Sequence, residues 1–361
     1  MKTTRRRLLS SAVTLSGVAA AAPLVGLSAR AAARELPVPS VGTHLVLLGT
    51  AAGPVPMAGR RGICTALVVD GRTYLIDVGR GAVDQFETAG LSMGTLGGIF
   101  VTHLHSDHLA DLYTLLWLRF GGYNSMTHPV DIYGPGPAGA LPAPSSDRDV
   151  DTINRKNSTP GLADFLAKSM EATAYDLNIR MRDEAWPDIR TMVRSHEIPL
   201  PDVDAGPLGN MAPAMKPFKV MADDRVRVSA ILVQHPPVFP SFAFRFDTDH
   251  GSVVFSGDTT VTPNMVTLAQ GADVLVHEVI DLQAVEQFGN LTPEQLEHHR
   301  RSHTDVTKVG PIAREAGVAT LVLNHLAPST PAWSDAIWLA KAQQGFTGKV
   351  IVGNDLMRVP L

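Results

Sequence analysis

The chain has 361 residues, 45% of them hydrophobic and 18% charged, which is enough apolar material for a buried core and argues against a disordered protein. With a removable leader set aside, about 330 residues remain to fold, the size of one large domain or two small ones. A net charge of -4 with no long basic run past the N-terminus speaks against a nucleic-acid binder, and Cys64, the single cysteine, excludes an internal disulfide and a thiolate-rich zinc site.

The leader comes first. Arg5, Arg6 and Arg7 precede a weakly apolar stretch from Leu8 to Leu27, and Ala31-Ala32-Ala33 offers a small-residue cleavage site. Thr4 to Leu9 resembles a twin-arginine export signal. This predicts a signal peptide over 1–33, a folded domain over 34–361 and a periplasmic or secreted destination. No later stretch is long and apolar enough to span a bilayer, so no stable membrane association is expected once the signal is removed.

Short runs rich in Val, Ile and Leu then alternate with glycine turns. Strands are predicted over 44–49, 64–69 and 73–77, the last two joined at Asp70-Gly71, and over 98–102. A helical stripe of Leu112, Leu115, Leu116 and Phe120 predicts a helix over 109–120, followed by a strand over 130–133. From about 142 to 217 the composition changes to mixed charges, aromatics and prolines, with one helix over 161–174; this stretch is expected to be an insertion or lid. Strands follow over 225–234, 242–246, 253–256, 274–277, 320–323 and 349–352, with helices over 293–301 and 305–316. Hairpins giving way to strand–helix alternation predict a layered α/β domain.

The densest chemical signal is Thr102-His103-Leu104-His105-Ser106-Asp107-His108, directly after an apolar strand. His103 and His105, two apart, share a face and can reach one ion, while Asp107 and His108 open the next helix and can reach a second. Imidazole and carboxylate suit zinc, manganese or iron. His235, Asp258 and His325 each follow a strand, where α/β proteins collect their site residues.

With these residues the sequence resembles the metallo-β-lactamase superfamily, whose motifs are HxHxDH, a downstream His, a bridging Asp and a final His. Within it, Leu47 to Thr50 with Gly53, Leu75 to Gly79, Phe242 to Arg245 and Ser302-His303-Thr304 are similar to the branch holding the tRNA 3′-end processing endonuclease and the secreted arylsulfatases. The resemblance implies a four-layer αβ/βα sandwich with a central insertion. It implies a first metal on His103, His105 and His235, a second on Asp107, His108 and His325, and Asp258 bridging. Two divalent ions are expected, zinc by default with manganese or iron as alternatives. A hydroxide between them would attack the electrophilic centre. Asp107 and His303 are the expected catalytic side chains, His303 protonating the leaving group or binding an anionic substrate. Asp77 resembles a carboxylate that fixes a ligand imidazole, with a turn cap as the plainer alternative. His277-Glu278 is either structural or supports the ligands.

For the substrate, the leader, the anionic charge and the His235 to Pro240 segment favour a small aryl or alkyl sulfate or phosphodiester, with Trp117, Phe120, Trp186 and Phe239 available to line an apolar pocket. A lactonase or other carbonyl-ester hydrolase is the alternative. A tRNA-processing endonuclease and a non-catalytic metal-binding protein rank lower. No nucleic-acid partner is expected, and a homodimer is left open.

Overall fold

The computed structural model describes residues 40–144, 150–330 and 332–361. The segment read as an export signal, 1–33, lies outside the described residues.

The first half of the chain contains β1 (Thr43–Gly49), β2 (Cys64–Val69), β3 (Arg72–Ile76), α1 (Ala82–Thr88) and β4 (Leu96–Phe100). It continues through α2 (Ser106–Leu109), α3 (Leu112–Arg119), β5 (Val130–Pro135), α4 (Leu162–Ala172), α5 (Ala174–Asp183), α6 (Ile189–Met192) and β6 (Val193–Ile198). The second half opens with β7 (Phe218–Ala222), β8 (Val226–Leu232), β9 (Phe242–Thr248), β10 (Gly251–Phe255) and α7 (Pro263–Ala269). It then runs through β11 (Val274–Ile280), α8 (Leu282–Phe288), α9 (Pro293–Ser302), α10 (Val306–Ala316) and β12 (Thr320–Ala327). Last come α11 (Asp335–Ala342), β13 (Lys349–Val352) and β14 (Met357–Pro360).

Two seven-stranded sheets result, ordered β14-β1-β2-β3-β4-β5-β6 and β13-β12-β11-β10-β9-β8-β7. Each pairs antiparallel through its opening hairpins and parallel where helices make the crossovers, β3 to β6 in one and β10 to β13 in the other. The halves therefore repeat one layout, although no sequence period announces it. β14 returns from the second half to pair with β1, Leu47 facing Met357.

Residues on the inner faces alternate along the strands and fill the space between the sheets: Leu45 and Leu47 from β1, Tyr74 from β3, and Phe242, Phe244 and Phe246 from β9. Phe100 sits at the centre, its ring 5.1 Å from Tyr133 and 4.9 Å edge-on to Phe246. The opposite faces bury a second and a third core under the helices, on Phe86, Leu112, Leu116 and Phe120 in one half and Met265, Val309 and Trp338 in the other. Helix, sheet, sheet, helix is the four-layer sandwich expected from the resemblance. Each core strand so buried contributes roughly 1.5–3 kcal/mol per large apolar side chain.

Within 142–217, Leu162, Leu166, Leu177 and Ile189 belong to the outer core of the first half. β6 closes that sheet's edge beside β5, Tyr133 facing His196. The predicted helix over 109–120 starts late: Leu109 ends α2, and α3 runs from Leu112 to Arg119. Asp111 delays it, because its carboxylate accepts from the Gly81 and Val83 amides at 2.8 and 3.2 Å while its own N–H donates to the Val78 carbonyl.

Candidate metal centre

β4 ends in Phe100, locked between the sheets, and the chain leaves it through buried Val101 and Thr102. The loop presents His103 and His105, and α2 starts at once, placing Asp107 in its first turn and His108 beside it. His235 follows β8, Asp258 follows β10, and His325 lies within the last turn of β12, where Asn324 Oδ1 accepts from its N–H at 3.0 Å and its φ is 44°. Gly257, just before Asp258, has φ 57° and a Cβ there would stand 2.7 Å from the Phe242 carbonyl, so only glycine lets β10 pass that close.

All seven side chains meet at one end of the two sheets. His103, His105 and His235 form a triangle with ring centroids 4.7–5.0 Å apart, and His235 Nε2 is 3.2 Å from His105 Nδ1. Asp107 Oδ2 is 3.6 Å from His108 Nε2 and 3.3 Å from His325 Nε2. Asp258 Oδ2 lies between the groups, 3.9 Å from His103 and His235 and 3.4 Å from His108 and His325. Two donors bound tetrahedrally to one zinc at ~2.0–2.1 Å stand about 3.3 Å apart, so these spacings suit shared ions better than mutual hydrogen bonds. His103 Nε2, His108 Nε2 and Asp258 Oδ1 are buried without a hydrogen-bond partner among the described residues, a costly arrangement unless a cation meets them. The residues fit divalent metal.

On His103, His108 and His235 the Nδ1 that faces away is held by a hydrogen bond, which leaves Nε2 free to ligate. His108 Nδ1 donates to Asp77 Oδ2 at 2.8 Å. Thr102 donates its N–H and hydroxyl to Asp77, and its hydroxyl oxygen faces His103 Nδ1 at 3.1 Å. His235 Nδ1 donates to the Ser302 carbonyl at 2.8 Å. Asp77 therefore orients a ligand-type imidazole rather than capping a turn.

Electrostatics follow from the same packing. Burial pushes His103 well below the ordinary imidazole range, His105 down to about 4 and His235 down to about 3, so these rings are neutral and ready to coordinate. Burial would raise the Asp107 and Asp258 carboxyls, but the neighbouring imidazoles His108 and His325 outweigh it and hold both low.

His303 caps the C-terminus of α9, its ring centroid 5.2 Å from His235. Its Nδ1 stands 3.5 Å from Glu278 Oε1. Burial opposes its protonation, yet Glu278, with Asp258 and Asp107 behind it, pushes the pKa up to about 9. Glu278 also accepts from the Thr304 amide at 2.9 Å and the Thr259 amide at 3.3 Å, tying the His303 and Asp258 loops together. In the sequence alone, the signal for Glu278 is its position near the end of a strand, which does not separate a structural role from support of the ligands. His277 instead turns Nδ1 onto the Glu278 carbonyl at 2.6 Å.

The expected apolar pocket is not formed by the residues chosen for it. Trp117 stacks on Tyr113 and donates to Asp176, while Phe120 and Trp186 pack edge-to-face at 4.8 Å beneath α3. Phe239 is buried in the inter-sheet core. A cavity of about 280 Å³ does open beside Asp107, walled by Ala52 to Met57 with Arg80. The larger cleft, about 610 Å³, lies at the opposite strand ends around Arg72, Asp223 and Arg225 and contains none of the seven side chains.

The model of the metallo-β-lactamase superfamily matches residues 59–156. Ribonuclease Z of Mycobacterium bovis is 30% identical over 319 residues, covering 88% of this chain and 97% of the relative. Ribonuclease Z of Mycobacterium avium is 30% identical over 317 residues with the same coverage. Among solved structures, human tRNase Z, short form, superposes with a TM-score of 0.58 at 21% identity, over 88% of this chain and 98% of that one. These findings overturn two expectations, the small sulfate, phosphodiester or carbonyl ester as substrate and the absence of a nucleic-acid partner. Net charge is a property of the whole chain and says little about the potential at one part of its surface. A metal-dependent hydrolase by its fold and its relatives, the chain belongs to the metallo-β-lactamase superfamily and, within it, to the ribonuclease Z family.

Proposed function

We propose that the chain is a metal-dependent ribonuclease that cuts a phosphodiester bond at the 3′ side of a tRNA precursor. The observation that carries this reading is the match to ribonuclease Z over 97% of that relative's length, with the seven donor side chains gathered at one point. His103, His105 and His235 would hold one divalent ion, Asp107, His108 and His325 a second, and Asp258 both. Zinc is the default for such a donor set. When bound, the ions supply Lewis-acid activation of water and of the phosphoryl oxygens.

The chain's own groups do the rest. Asp77, Thr102 and the Ser302 carbonyl fix the tautomers of His108, His103 and His235. Glu278 keeps a proton on His303 at neutral pH, and Nε2 is the nitrogen left to deliver it to the departing ribose oxygen. Burial of the cluster excludes bulk water and strengthens each of these interactions. The test is incubation of metal-quantified protein with a 3′-extended tRNA precursor. A single cut near the mature 3′ end, lost on chelation and reduced about 10²- to 10⁴-fold in His303→Ala, is expected. Fully metal-loaded protein that leaves the precursor intact refutes the reading.

A further inference from the structure

Both connections that leave the site end of the second sheet, after β11 and after β12, carry an aromatic side chain with no role in the metal centre. Phe288, the last residue of α8, is 64% exposed. Trp333, in the loop after β12, stands 6.2 Å from it at an interplanar angle of 59°, and its indole N–H is buried without a partner among the described residues. Lys341 lies 5.5 Å over the Trp333 ring and is itself fixed by Asp281 at 2.5 Å. An exposed phenylalanine costs solubility and here stabilises no core; a paired, cation-backed aromatic surface is the chemistry that stacks nucleobases.

The surface is continuous with the site. Ile280 donates its N–H to the Thr304 carbonyl at 3.0 Å and Leu282 donates to Asp305 at 3.2 Å, so α8 starts beside His303. At ~1.5 Å per residue, Phe288 stands about 10 Å further along the helix, about three stacked bases. α9 runs back from its capping box at Thr292 to Ser302, and the Ser302 carbonyl holds His235. On that return helix Arg300 and Arg301 are about half exposed, their guanidinium groups 3.1 and 3.7 Å from Glu286 and Glu297. Pairs so exposed are worth little, and phosphate can displace their carboxylates.

We infer that the α8–α9 rim is the docking strip for single-stranded RNA next to the scissile bond, with Phe288 and Trp333 as its stacking platform. This rests on the ribonuclease reading and names the part of the substrate that the rim would hold: an unpaired extension, since paired bases present no free face to stack.

The test compares Phe288→Ala and Phe288→Tyr with the parent, each at matched metal content and melting temperature. The readout is the ratio of kcat/KM for a precursor with an unpaired 3′ extension to that for bis(4-nitrophenyl) phosphate. Phe288→Ala is expected to lower this ratio about 5- to 100-fold and Phe288→Tyr to restore most of it, because the ring does the work. Oligouridylate should also quench tryptophan emission in the parent and fail to do so in Trp333→Phe. An unchanged ratio in Phe288→Ala, an equal loss on both substrates, or self-association through this face without oligouridylate binding overturns the inference. Failure of the parent protein to cut any RNA is a different result, which removes the ribonuclease reading itself.

Discussion

Replacing Asp77 by Asn isolates what a buried carboxylate does for a metal it does not touch. Asp77 accepts from the Thr102 amide at 2.8 Å on Oδ1 and from His108 Nδ1 at 2.8 Å on Oδ2. An amide is nearly isosteric but offers one acceptor and one NH₂. If the NH₂ faces Thr102, two buried donors confront each other, which costs about 1–3 kcal/mol of folding stability. If it faces His108, Nδ1 must accept, the ring proton moves to Nε2, and the nitrogen aimed at the cluster can no longer ligate. Either orientation damages something, and metal affinity is expected to fall about 10- to 100-fold on the second alternative. Competition against a chromophoric chelator reports the affinity, and melting of the metal-free protein reports the stability. The reasoning is refuted if Asp77→Asn matches the parent in both.

Two further outcomes test other parts of the centre. The His303 pKa is raised from 6.5 to about 9, so the stability it contributes with Glu278 is complete below about 6.5 and is lost as pH rises through 9. Glu278→Gln should move the alkaline limb of the kcat profile down by about one pH unit, cutting kcat about threefold at pH 8.5 and hardly at all at pH 6; superimposable profiles would contradict the pairing. A Cβ on Gly53 would stand 2.3 Å from Asp107 Cβ and 2.6 Å from Oδ2. Gly53→Ala should therefore displace Asp107 and lower kcat by about 10²-fold while the fold survives, and normal turnover with full metal occupancy would show that the loop simply yields.

The donor cluster was legible because its residues sit where periodicity ends: an apolar run, then His103, His105, Asp107 and His108 within six positions. His235, Asp258 and His325 could be added because each follows a predicted strand. What sequence could not carry was partnership over distance. β6 reads Val193-Arg-Ser-His-Glu-Ile198, a polar edge whose exposed positions hide its place beside β5. β14 has four residues, and it is a strand only because β1, over 300 positions earlier, pairs with it. Asp111 delays the start of α3 to Leu112 through bonds to Gly81 and Val83, which no local pattern encodes. Substrate choice went astray for a related reason. Whole-chain composition does not report a surface that is set by a few side chains around the site.

The repeated layout of the two halves has a consequence for how the centre could come apart. Four of the seven donors, His103 to His108, belong to the first half, and His235, Asp258 and His325 to the second, so no ion is fully served from one side. Bound cations would act as rivets across the seam. Fragments made by cutting the chain ahead of β7 would each own an incomplete socket, and their reunion would depend on metal as much as on buried surface.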